Sequence, residues 1–102
     1  MATIEERIYD GNRAREVLEN EAFQQAFADI DAELMQRWRD LSSTEETRTA
    51  RDRLHLSLTL LAKVRNCLTT TLETGKLAMA ELEHRRSTAE RAKDAISGYF
   101  RP

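Results

Sequence analysis

The one proline of the sequence is its last residue, Pro102, so no earlier position forbids a helix by removing a backbone N–H or clashing with the preceding turn. Only three glycines interrupt the rest, and the apolar residues are mostly Leu and Ala, which favour helix over strand. The fold class expected is therefore all-α. A chain of 102 residues fits one domain and leaves little room for a deep active-site cleft.

The spacing of the apolar residues divides the chain. Phe23, Phe27, Ile30, Leu34, Trp38 and Leu41 recur at steps of three and four, along one stripe of a helix. Asn20 suits its N-cap, with Glu21 favourable at the positive helix end. Ser42 to Glu46 makes a polar turn in which Ser43 and Glu46 fit a capping box. The next stripe runs through Ala50, Leu54, Leu58, Leu61, Val64, Leu68 and Leu72, and two such helices joined by a short turn are expected to lie antiparallel over residues 20–75. Before them, Asp10-Gly11-Asn12 predicts a frayed start and a short helix over about 12–19, within an N-terminal segment of 1–19. Gly75 either closes the third helix as a left-handed cap or is tolerated inside it at about 1 kcal/mol. A weaker amphipath through Leu77, Met79, Leu82, Ala89, Ala92 and Ile96 predicts a C-terminal helix over 76–97, followed by a 98–102 tail.

Cys67 has no second cysteine to pair with inside the chain, so a reducing compartment and a small, buried or half-buried side chain near the apolar stripe are expected. The start is charged where a signal peptide would be apolar. The pairs Asp52/His55 and Glu81/His84 have the carboxylate-x-x-His spacing of di-iron bundles, but acids are frequent here and surface histidines are the reading preferred. No nucleophile elbow, phosphate loop or zinc-protease motif occurs, so no catalytic residue, metal or cofactor is assigned and the chain is not expected to be an enzyme.

Net charge is -2, but residues 1–50 carry 12 acids and 6 bases whereas residues 51–102 carry 6 acids and 10 bases. Either the halves or subunits attract one another, or the charges are an uneven solvated scatter. Leu82, Ile96, Tyr99 and Phe100 exceed what two paired helices can cover, so either they fold back as a third helix or they contact another subunit, the reading preferred, with Arg85, Arg86 and Arg91 steering its approach. The same arginines on phosphates would make a DNA-packaging or DNA-binding accessory, although the sequence pI of about 5.7 disfavours this.

The stretch Ala-Asp-Ile-Asp-Ala-Glu-Leu-Met-Gln-Arg-Trp (28–38), the leucine-rich helix with Leu56, Leu58, Leu61 and Val64-Arg65-Asn66-Cys67-Leu68, and Thr74-Gly75-Lys76-Leu77-Ala78 resemble small helical proteins encoded among tailed-bacteriophage particle genes. The resemblance covers about residues 20–78. It implies a non-enzymatic structural or accessory component of particle assembly, working as a homo-oligomer with itself and with other particle proteins, in the host cytoplasm or the virion.

Overall fold

A computed structural model describes residues 2–99. The protein is all-α and elongated, with extents of 87 × 26 × 19 Å. Helix α1 spans Ile4–Glu19, α2 spans Glu21–Asp40, and a single 3₁₀ turn, Glu45–Thr47, leads into α3, Arg48–Tyr99. No helix of the described residues is long and apolar enough to cross a membrane.

The break between α1 and α2 is one residue wide. Asn20 adopts an extended conformation and its Oδ1 accepts the Phe23 amide at 2.9 Å, as its expected capping role requires. Gln24 Nε2 donates back to the Leu18 carbonyl at 2.8 Å, satisfying one of the last free acceptors of α1. The turn before α3 uses a different pair from the one expected. Thr44, not Ser43, precedes the 3₁₀ turn, and the Thr44 amide donates to Thr47 Oγ1 at 3.3 Å.

Two further expectations are corrected. Gly11 does not interrupt α1, which is continuous from Ile4, and of the two readings of Gly75 the structure shows the one in which the helix continues through it, not the cap. The segments expected as two helices with a junction near residue 75 form one helix of 52 residues, about 78 Å long at 1.5 Å per residue. Tertiary packing explains both glycines. A Cβ built on Gly75 would lie 2.8 Å from the Gly11 Cα and 3.1 Å from the Arg7 carbonyl oxygen, and one built on Gly11 would lie 2.8 Å from the Gly75 Cα. Only glycine at both positions lets the two backbones come this close. Ala14 and Ala78, both buried, extend the small-residue contact, and Ile4 is also buried. At the far end Arg7 pairs with Glu81 at 3.6 Å, so α1 runs antiparallel to α3.

Helix α2 continues along α3 in the same sense. The Arg65 guanidinium lies 4.6 Å from the centre of the Phe27 ring, and the Trp38 and His55 rings are 6.4 Å apart. These two contacts fix the register: residue n of α2 is level with about residue 92 − n of α3. The hydroxyls of Ser57, Thr59, Thr69, Thr71 and Thr88 donate to carbonyls four residues back, which satisfies them inside α3. Beyond the Arg7–Glu81 pair, residues 83–99 of α3 project past α1 for about 25 Å.

Candidate functional site

Any site on this chain must be built from a surface, because the core is thin. Among the described residues the buried apolar side chains are Ile4, Ala14, Phe27 and Ala78, and no large side chain is fully buried. Trp38, expected in the core stripe, is 39% exposed, Ile30 is 45% exposed and Val64 is 50% exposed. One helix lying on another covers only part of each stripe, and the remainder faces water.

The sequence-predicted contact residues are distributed along the free end of α3. Leu82 is half-buried, one position past Glu81, which α1 reaches through Arg7. Ile96 is 59% exposed on the projecting segment. Tyr99 ends α3 but its side chain lies outside the described residues, as does Phe100. Arg85 donates to Glu81 at 2.8 Å, so this arginine is held along its own helix by a carboxylate that also serves Arg7. Arg86 and Arg91 are exposed, with Glu83 and Glu90 interleaved. Leu82 and Arg85 are thus close neighbours on one helix, whereas Ile96 stands more than three turns away.

The Asp52/His55 and Glu81/His84 pairs share one continuous helix. Their offset along it separates them by about 44 Å, so they cannot face each other across a bundle within one chain. His55 stands against Trp38, and no group of three or more His, Cys, Asp or Glu among the described residues is arranged to hold a metal ion. Cys67 is exposed, against the expectation of a buried or half-buried side chain.

The surface that sequence reasoning missed lies on the first half of α3. Leu56, Leu60 and Cys67, joined by Val64, which the sequence places in the first stripe but which lies at its exposed edge, follow steps of four, four and three, and the three larger apolar residues are 57%, 52% and 50% exposed. Leu60, Lys63, Val64, Cys67 and, from the first stripe, Leu68 line a shallow apolar groove on this face. The signal is present in the sequence as a second leucine series beside the first. On α2, Ala26 and Ile30 are exposed in the same way.

Those two strips lie on one side of the α2–α3 pair. Arg37 and Asp40 of α2 share a groove with Ala50 and Arg53 of α3 on that side, while Ala28 and Asp31 face Ala62 and Asn66 on the other. Stepping by three or four from Arg37 leads through Glu33 to Ile30 and Ala26, and from Arg53 to Leu56, Leu60 and Val64. The molecule therefore has one broad side of exposed apolar residues contributed by two helices.

Its charge is also divided. Residues 16–36 contain six acids and no base, whereas residues 48–72 contain five bases and one acid. Yet among the described residues the ion pair joining different helices is Arg7–Glu81, which uses a base of the acidic half and an acid of the basic half. The charge division is not consumed by pairing within the chain. Compared with known proteins, the chain matches no protein-family model, and neither a curated protein nor a solved structure is significantly similar to it.

Proposed function

We propose that this chain is a non-catalytic protein–protein interaction protein that works as a homo-oligomer, a structural or accessory component of bacteriophage particle assembly. The observation that carries the oligomer is surface area. The chain exposes 8423 Å², whereas a compact monomer of 11.8 kDa exposes roughly 5,900 Å². That excess of roughly 2,500 Å², together with the absence of a fully buried large side chain among the described residues, is the signature of a subunit whose core is completed by another. The helical pair and its projecting segment close into a bundle in the assembly, not in the monomer. The phage context is supported by the sequence resemblance over residues 20–78.

Sedimentation equilibrium tests the first part: a mass that is a multiple of 11.8 kDa, falling on dilution, is expected, and the single-chain mass at every concentration refutes it. Mass spectrometry of purified particles tests the second, with peptides of this chain expected in particles or in assembly intermediates and their absence from both refuting it.

A further inference from the structure

Building on this self-association reading, we infer that the side formed by Leu56, Leu60 and Val64 of α3 with Ala26 and Ile30 of α2 is covered by the same side of a second copy. The two α2–α3 pairs stack into a four-helix arrangement, α3 of each lying on α2 of the other, about a two-fold axis parallel to the helices.

Charge selects this stacking over α3 on α3. The apolar strip of α3 is flanked by Arg53 and Lys63, with Asp52 one turn before Leu56, while the strip of α2 is flanked by Asp29 and by Glu33, the latter paired with Arg37 on its own helix. Placing α3 on the partner's α2 juxtaposes opposite charges, whereas α3 on α3 juxtaposes like ones. A two-fold axis parallel to the helices also keeps every residue at its own height, so the register between copies is inherited from the register within one. With residue n of α2 level with about 92 − n of α3, Lys63 comes level with Asp29 of the second copy. Ile30 falls at the height of residue 62, between Leu60 and Val64, as a knob does in its hole. Among the described residues neither Lys63 nor Asp29 is in an ion pair within the chain, and Asp29 accepts only from Gln25 on its own helix. The area suffices as well. The excess surface is about three times the roughly 800 Å² that each partner of a stable complex buries.

The test uses the full chain and measures the dimer dissociation constant by sedimentation, with helicity checked by circular dichroism. Leu60→Asp replaces an exposed residue, so the fold is retained, but it sets two unpaired carboxylates in the apolar seam and is expected to weaken the dimer at least about 100-fold. Lys63→Asp and Asp29→Lys are each expected to weaken it about 3- to 10-fold, as fits two symmetry-related exposed pairs, and the double variant to restore it. A double variant as weak as the singles overturns the register. A chain that associates equally well with Leu60→Asp overturns the surface while self-association stands, and a wild-type chain that is monomeric throughout overturns both. The Cys67 thiols of the two copies sit on diagonally opposed helices, beyond the roughly 7 Å Cα separation a disulfide spans, so mild oxidant is expected to leave the dimer uncrosslinked. Rapid disulfide formation within the dimer would instead place α3 on α3 and refute the stacking.

Discussion

Replacing Gly75 by alanine is expected to destabilise this protein, against the ordinary effect of that substitution in a helix. In a solvent-facing helix interior, Gly→Ala stabilises by about 1 kcal/mol because the unfolded glycine has more conformations to lose. At Gly75 the new methyl would stand 2.8 Å from the Gly11 Cα and 3.1 Å from the Arg7 carbonyl oxygen. Both are backbone atoms, and no rotamer change can move them away. Carbon atoms prefer about 3.5–4.0 Å, so α1 must retreat by most of an ångström along its line of contact. Such overpacking costs about 1–3 kcal/mol, and the retreat also loosens Ile4, Ala14 and Ala78, most of the buried apolar residues. The net expectation is a loss of up to about 2 kcal/mol, a reversal of sign relative to the exposed case. Gly98 supplies the control, since a Cβ there meets nothing within 4 Å; Gly98→Ala is expected to be neutral or to stabilise by at most about 1 kcal/mol. Urea unfolding followed by circular dichroism, at a fixed protein concentration, reads both. If Gly75→Ala stabilises as much as Gly98→Ala or more, the close crossing of α1 and α3 is wrong. Adding Gly11→Ala to Gly75→Ala should cost less than the first substitution, because the helices have already separated.

Three smaller perturbations test other links. Asn20→Ala removes the acceptor of the Phe23 amide and is expected to lower stability by about 1 kcal/mol in the same urea assay, while Asn20→Asp retains it; equal losses for both would deny the cap. A double-mutant cycle on Arg7 and Glu81, one-third and two-fifths exposed, is expected to give a coupling below about 1 kcal/mol that shrinks with added salt. A DNA-binding accessory using Arg85, Arg86 and Arg91 predicts duplex binding that weakens steeply between roughly 50 and roughly 200 mM salt; gel-shift titration is expected to show none, and such binding would favour that function over self-association alone.

How legible this is in the sequence depends on the range of each determinant. The α2 stripe and the Asn20 cap are local: each is fixed by residues within a few positions, and spacing and side-chain type reveal both. Gly11, read locally, looks like a break, and Gly75 like either a closing cap or a tolerated interruption; the structure removes the break and the cap and keeps the interruption. Their role is set by one another across most of the length of the chain, and no window around either contains that information. A helix tolerates a glycine when a neighbouring backbone fills the missing side chain's place, so continuity of α3 follows from tertiary packing that propensity cannot see. The second leucine series has the opposite fate. It is visible in the sequence, but with each stripe assigned to a single hairpin core there is no helix left to require it.

The projecting end of α3 links the contact residues read from sequence to the surface read from structure. Residues 83–99 have no helix beside them in the chain, and a free segment of that length is marginal as a helix in water, held here by growth from the packed part and by surface pairs such as Glu81–Arg85. A two-fold axis parallel to the helices sends the two projecting ends in the same direction. The two α3 helices are diagonal where α2 lies between them, but past α1 nothing separates their ends, and as these converge Leu82, Ala89 and Ile96 recur every seven residues on each, the spacing of a parallel two-stranded seam, whereas an axis perpendicular to the helices would send the ends apart. Hydrogen exchange therefore separates the two symmetries. In the parallel case, amides of residues 84–96 gain protection on dimerisation together with those of the Leu56–Val64 strip, and Ile96→Asp removes the gain at the end while the strip keeps its own. Protection confined to the strip in the wild-type dimer would place the ends apart and refute the parallel axis.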